Sequence, residues 1–409
     1  MDLGDGLGHL TYSTLVHAGD TWDEMRESLA DFVPRVKRRV SPEAPFGVSL
    51  RLSAASASHL TDEPGRRREL REFLAANGLY LYTVNAFPYG PFKGRLVKEQ
   101  VYEPDWRTED RVRYTCQVAD ILAEVSPAHV NPSIQSAPLA FARNVHGAAD
   151  VRRLTRNLLR VVAHLLDLER RTGRRVTLAL EPEPACHLET TQETVAYFQR
   201  HVYSAAGTGA FADLAGVPMS EAHAALRRHL GVVFDVCHQA VGFEDIPASL
   251  AALEAAGIPV FKLQEAAALR VPEVTAQAVA ELERLTDTIY LSQTTQLRDG
   301  VLRKFLNLED AIAAWHEDPG PAEWRTHFHV PVFLDRLGPF HTTRFALEDA
   351  LRVHATRPQS AHLEIETYTW DVLPEQFKDG DIVDYLSREL EWVRARLAGQ
   401  NGRRAAAGR

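Results

Sequence analysis

The order of its elements is what most narrows the folds open to this chain. Short runs rich in β-branched and apolar residues alternate with longer stretches that repeat apolar residues at helical spacing, over nearly all of its 409 residues. Such alternation builds a parallel sheet from βαβ units. The strand-like runs fall at 10–15, 47–53, 79–85, 128–135, 176–181, 231–235 and 260–264, with two more at 327–333 and 362–368. Helical periodicity is clearest over 108–124, 148–171, 220–230 and 274–285. Asn77-Gly78, Thr172-Gly173 and Gly257 end helices just ahead of strands, because glycine accepts the positive φ found past a helix end.

Eight strands close an α/β barrel of the (β/α)8 TIM type, and nine are in hand. Taking 362–368 as the eighth strand leaves 327–333 in an insertion after strand seven, over about 286–335. A hairpin over 288–307, turning at Asp299-Gly300, belongs to the same insertion. No Pro-, Gly- or Ser-rich linker divides the chain, so the expectation is a single barrel domain over 1–396 and a disordered tail over 397–409.

Acidic residues outnumber basic ones, 55 to 46, for a formal charge of −9. The basic runs Lys37-Arg38-Arg39, Arg66-Arg67-Arg68 and Arg174-Arg175 read as solvated helix faces, so neither nucleic acid nor membrane insertion is expected. There is no signal-like N-terminus and no apolar run near 18 residues, which makes the cytoplasm the expected location. Cys116, Cys186 and Cys237 are too few and too scattered for a disulfide framework.

Inward-facing residues alternate along barrel strands, and chemistry collects at the strands' C-terminal ends. In strand five Thr177, Ala179 and Glu181 share a face, and Glu183 keeps that parity. In strand six Gly231, Val233 and Asp235 share a face, with His238 three residues on. Strand seven offers Lys262 and Gln264, the insertion strand His327 and His329, and the last strand Glu364 and Glu366. Carboxylate oxygen and imidazole nitrogen together suit a divalent cation: Zn, Mn, Mg or Fe. Carboxylates clustered inside a barrel are costly unless a cation balances them. Singly, each residue has a plainer role as a salt-bridge partner, helix-start residue or half-exposed strand histidine; the case rests on their strand order. Cys237 shares Asp235's parity but lies past the strand end, so it reads as core, with a thiolate ligand as the alternative.

Glu181 in its Leu-Glu context, Asp235 followed by His238, and Glu366-Thr367 resemble the xylose-isomerase-like TIM barrel superfamily of sugar isomerases, ketose 3-epimerases and endonuclease IV repair enzymes. Strand seven there supplies a histidine, where this chain has Gln264. The resemblance implies that His327 or His329 fills that role, much as an Asp-x-His segment does in the nuclease group. Longer strings at 10–22, 84–94, 101–107, 178–190, 234–245, 327–338 and 363–374 resemble the metabolite traffic protein EboE family. That resemblance implies a secondary-metabolite pathway with a sugar-phosphate cyclase and a prenyltransferase-like membrane protein as pathway partners, linked to precursor export. The shared strings also place a pocket rim at Tyr12, His17, Arg51, Asn85, Tyr89, Lys93 and Trp106. Aromatic faces there can stack on a ring and Arg or Lys can hold phosphate, the alternative being plain loop packing.

The expected activity is isomerisation or epimerisation of a sugar- or cyclitol-like polyol, phosphorylated or not. The ion would bind adjacent substrate oxygens, Glu181 and Glu366 would exchange a proton, and His238 would polarise a carbonyl. Glu183, Lys262 and Glu364 would contact substrate. A multi-metal hydrolase or lyase and a non-catalytic metabolite carrier are the alternatives.

Overall fold

Eight strands run parallel in the computed structural model, which describes residues 1–90, 92, 98–284, 290–371, 378 and 380–407. They are β1 (His9–Tyr12), β2 (Phe46–Arg51), β3 (Leu79–Asn85), β4 (Ser133–Ser136), β5 (Thr177–Leu180), β6 (Leu230–Asp235), β7 (Val260–Glu265) and, last in the chain, β14 (His362–Ile365). Their order is β1-β14-β7-β6-β5-β4-β3-β2, and a parallel bridge between Ser13 and Ser49 joins the two ends into a barrel. The expected (β/α)8 fold is therefore present, with 362–368 supplying the eighth strand.

Helices return the chain between strands and cover the barrel. Trp22–Val40 starts with a capping box in which the Thr21 side chain accepts from the Glu24 amide and Glu24 accepts from the Thr21 amide. Ala148–Thr172 presents Leu154, Leu158, Val161, Val162 and Leu165 to the barrel and stops at Gly173, whose φ of 69° few side chains tolerate.

Two irregularities set which side chains face inward. Between β2 and β3 the register steps from Val48–Leu81 to Ser49–Thr83, leaving Tyr82 unopposed; between β6 and β7 it steps from Val232–Val260 to Val233–Lys262, leaving Phe261 unopposed. Each extra residue shifts the inward parity of the remainder of its strand. The Tyr82 hydroxyl consequently crosses the barrel to donate to the Leu363 carbonyl (2.7 Å), while Thr83 also turns inward onto Ser133 (2.8 Å). Gly47 makes room for this ring, since a Cβ there would lie 2.4 Å from it.

The insertion is larger than the sequence suggests. It begins at β8 (Ala267–Val271), one residue after β7, and continues through β9 (Thr294–Arg298), β10 (Val301–Phe305), β11 (Glu323–Val330), β12 (Arg336–Leu337) and β13 (Phe340–Thr342). These form an antiparallel sheet ordered β10-β9-β11-β8-β13-β12, with its own core of Leu269, Val271, Leu282, Ile312, Trp324 and Phe328. The expected hairpin is β9–β10, its Asp299-Gly300 turn holding φ of 52° and 77°; residues 288 and 289 of that segment lie outside those described. The C-terminal helix Ile382–Ala407 runs on through the segment read as a disordered tail. No helix of the described residues is long and apolar enough to cross a membrane.

Candidate metal centre

Strand ends bring Glu181, Asp235 and Glu366 together so that one carboxylate oxygen of each lies within 4.8 Å of the others. All three are buried. Asp235 is fixed by the chain reversal that follows β6: its Oδ1 accepts from the amides of Cys237 (2.6 Å) and His238 (3.1 Å), leaving Oδ2 to face the barrel axis. Gln264 donates through Nε2 to Asp235 Oδ2 (3.0 Å) and to Glu366 Oε2, so it clamps two of the three acids. Gln135, on β4, donates to Glu181 Oε2 at 2.6 Å.

Three histidines stand beside the acids, each with one ring nitrogen committed. His238 Nδ1 donates to the Pro182 carbonyl (2.9 Å). His329 Nδ1 donates to the Glu366 carbonyl. His327 Nδ1 meets Gln293 Oε1 at 2.9 Å, and the amide nitrogen of Gln293 faces the Pro184 carbonyl (3.2 Å) and Glu183 (3.4 Å), which fixes the oxygen toward the ring. All three rings thereby turn Nε2 toward the site, the usual arrangement of ligating histidines. His327 and His329 reach it because β11 breaks register against β8 between Thr326 and His329. Further ligand groupings are Asp235 with His238 and His329, Glu183 with His238 and His327, and Cys237 with His327 and His329.

Beneath this layer Lys262, fully buried, donates to Asn85 Oδ1 and Gln135 Oε1, both at 2.6 Å, and lies 3.0 Å from Glu364 Oε2. Asn85 passes the connection on, donating to Glu364 (3.0 Å) and to Ser13 (2.7 Å), whose hydroxyl in turn faces Glu366 Oε1 at 3.5 Å. One lysine thus anchors amides that reach both Glu181 and Glu366.

Burial pushes the Glu181 carboxyl up to about 8, with Asp235 and Glu183 adding to the effect against His238 and Gln135. Burial and the charges of Glu181 and Glu364 raise Glu366 well above the usual carboxylate range. For His238 burial alone would favour the neutral ring, but Asp235, Glu183 and Glu181 together hold it above its ordinary value. Burial lowers His329 to about 4 and holds His327 well below the ordinary imidazole range.

These residues fit a divalent cation. Glu181, Glu183, Asp235, Glu364 and Glu366 bring five carboxyl groups to one region, with Lys262 beneath them and Lys98 at the cavity wall. Imidazole nitrogens and carboxylate oxygens converge there. Such a set is costly in low dielectric without a metal.

The cavity above is lined by Phe87, Phe92, Tyr102, Tyr290, Tyr368 and Lys98 over Glu181, Glu183, His238, His327 and Glu366. Phe92, Tyr290 and Tyr368 contact one another with centroids 5.1–5.4 Å apart, an apolar roof over a polar floor. Tyr102 donates to Glu183 Oε1 at 2.6 Å.

Several expected rim residues lie elsewhere. Tyr12 has outward parity, beside inward-facing Thr11 and Ser13, and pairs with His17 Nε2 (3.0 Å) under the helix layer. Arg51 spends its guanidinium on the Gly19 carbonyl (2.6 Å), Asp20 and the Gly90 carbonyl (3.3 Å), holding loops in place away from the cavity. Trp106 is completely buried, its indole donating to Ser136 (3.2 Å). Tyr89 packs edge-on against Tyr114 at 5.3 Å. Asn85, Lys262 and Glu364 form the layer below the acids and do not line the cavity. Lys93 lies outside the described residues. Sequence reasoning missed Gln135, although its inward parity with Ser133 marks it, and Tyr368, although it keeps the parity of Glu364 and Glu366 in the run 362–368; Tyr102 and Gln293 lie outside the strand-like runs, where no parity marks them.

No family model matches the chain, and no curated protein matches it. Among solved structures it is similar to an L-ribulose 3-epimerase (12% identity, 98% of each chain covered, TM-score 0.48). It is similar also to a xylose isomerase-like TIM barrel protein from Mycobacterium smegmatis in complex with magnesium (11% identity, 96% of this chain and 97% of that one, TM-score 0.49). An AP endonuclease of family 2 from Brucella melitensis covers 63% of this chain and 78% of its own at 12% identity, with a TM-score of 0.33. At such identities and scores no substrate or metal transfers from these proteins to this chain.

Proposed function

We infer that the protein is a metal-dependent isomerase or epimerase acting on a sugar- or cyclitol-like polyol. The observation that carries this reading is the pair Glu181 and Glu366, three strands apart round the barrel, meeting with Asp235 under an aromatic-roofed cavity. Glu181, Asp235, Glu366 and His238 would hold a divalent ion, which supplies Lewis-acid polarisation of adjacent substrate oxygens.

The chain's own groups do the proton work. Burial holds Glu181 up to about 8 in metal-free protein; a bound cation brings it down to the carboxylate that can take a proton beside a polarised carbonyl. Gln135 fixes the orientation of that carboxylate, and Gln264 with Ser13 fixes Glu366. Epimerisation needs one glutamate to remove the proton and the other to return it from the far face; isomerisation needs a single glutamate to carry it between neighbouring carbons. The roof of Phe92, Tyr290 and Tyr368 excludes water and offers ring faces to a polyol's C–H surface. The resemblance of the long strings to the EboE family supports a cyclitol-like intermediate of a secondary-metabolite pathway, with pathway proteins as partners.

The test is hydrogen exchange with solvent. Protein stripped of metal and reloaded with Mn²⁺, Zn²⁺ or Mg²⁺ is incubated in D2O with panels of ketoses, aldoses and inososes. Deuterium should enter a carbon next to a carbonyl, and Glu181→Gln should abolish it. No incorporation into any panel member with any of the metals would sink the reading. A hydrolase or lyase using more than one ion is the second reading, favoured by the ligand grouping of Glu183, His238 and His327 beyond the three acids.

A further inference from the structure

The geometry points to a second, sulfur-containing metal site formed by Cys237, His327 and His329, selective for a thiophilic divalent cation such as Zn²⁺. It lies beside the carboxylate centre and is chemically unlike it.

The first observation is the relation of the two histidines. Their Nε2 atoms face each other at 3.0 Å. Each Nδ1 already donates: that of His329 to a backbone carbonyl, which can only accept, and that of His327 to Gln293 Oε1. Gln293 cannot turn over without taking its NH2 away from Glu183 and the Pro184 carbonyl. Two neutral imidazoles arranged this way aim lone pair at lone pair, which repels unless something positive lies between them.

The second observation separates a metal from a shared proton. A proton needs two acceptors, yet a third donor atom converges here: Cys237 Sγ lies within 4.8 Å of both histidine nitrogens. Cys237 is fully buried, and its chain position is fixed by the hydrogen bond its backbone N–H donates to Asp235 Oδ1 at 2.6 Å. Tetrahedral Zn²⁺ with Zn–N near 2.05 Å sets its nitrogens about 3.3 Å apart, so the histidine pair needs to open by only about 0.3 Å. Glu183 and His238, which group with His327, are the nearby side chains that could supply a fourth ligand.

The ligand types predict different cations at the two centres. Three carboxylates suit Mg²⁺ or Mn²⁺ as well as Zn²⁺, whereas one thiolate and two imidazoles favour Zn²⁺ or Co²⁺ and discriminate against Mg²⁺. Because His327 and His329 come from the inserted sheet and Cys237 from the barrel, this ion would also tie the insertion to the barrel mouth.

Cobalt separates the centres, because only a thiolate ligand gives an intense sulfur-to-cobalt charge-transfer absorption. Full-length protein, stripped with chelator, is titrated with Co²⁺. Two equivalents should bind, with the charge-transfer band saturating at one. Cys237→Ala should lose the band and keep one equivalent; Glu181→Gln should keep the band. X-ray absorption on Zn²⁺-loaded wild type needs no variant and should show a Zn–S shell near 2.3 Å. Absence of both the band and the Zn–S shell in the wild type overturns the proposal, as does a band that survives in Cys237→Ala. The isomerase reading fails separately: it falls if Mn²⁺ does not bind at Glu181, Asp235 and Glu366, whatever cobalt shows.

Discussion

Replacing Lys262 by Met tests the layer on which the centre rests. The ammonium is fully buried and contacts two amide oxygens at 2.6 Å and Glu364 at 3.0 Å. Methionine fills the same volume but carries neither charge nor donor. Glu364 would be left as a buried carboxylate with Asn85 as its polar partner, and breaking a buried pair from one side costs about 3–5 kcal/mol. Each orphaned amide oxygen adds about 1 kcal/mol or more. The expected loss is therefore about 5–7 kcal/mol at pH 8.

Urea denaturation of metal-free protein at pH 8, followed by tryptophan fluorescence, measures this. The double variant Lys262→Met with Glu364→Leu removes both charges and should recover at least half of the loss, since a buried pair replaced whole by apolar groups is near neutral. A loss under about 1 kcal/mol at pH 8, or a double variant no more stable than Lys262→Met, would show that the lysine does not balance Glu364 as argued.

Metal binding at pH 7 should release protons, because Glu181, held up to about 8, and Glu366, raised well above the usual carboxylate range, both give up a proton to become ligands. Calorimetry in two buffers of different ionisation enthalpy reads this, and Glu181→Gln should reduce the release. His362 is buried on the barrel floor, its Nδ1 2.8 Å from the Ser133 hydroxyl, and burial lowers it to about 3. The unfolded chain, titrating near 6.5, then binds more protons, so stability is lost as pH falls through that window. His362→Asn should flatten the slope of stability between pH 6 and 4 by about 1.4 kcal/mol per unit; an unchanged slope would refute the assignment. Gly47→Ala should cost about 1–3 kcal/mol, as its Cβ would sit 2.4 Å from the Tyr82 ring, while Gly65→Ala, with nothing within 4 Å, should cost nothing in a denaturation series.

Inward parity at strand ends was enough to find Glu181, Asp235, Gln264 and Glu366, because a two-residue period survives in short straight strands and the chain reversal after β6 brings His238 in beside Asp235. The same reasoning fails where position depends on partners far away in sequence. Arg51 and Trp106 sit next to strand ends, yet their direction is settled by the Gly19 carbonyl and Asp20 in one case and by Ser136 in the other. Lys262 faces inward as parity requires, but parity does not give depth: its acceptors come from β3, β4 and β14, which places it one layer below the cavity. β8 escaped notice because it follows β7 after a single residue, so the two read as one apolar run.

Gln264 shows how a departure in one strand and an insertion in the next belong together. In the sequence it stands where a strand-seven histidine is expected. In the structure its amide bridges Asp235 and Glu366, a role that needs a donor with two hydrogens and that a neutral imidazole, having one, cannot fill. Imidazoles from β11 stand beside the acids instead, because its register break brings His327 and His329 to the barrel mouth. The inserted sheet thereby adds candidate ligands next to the acids. It follows that Gln264→His would not rebuild an ordinary centre: it would free at least one of the two carboxylates it now clamps.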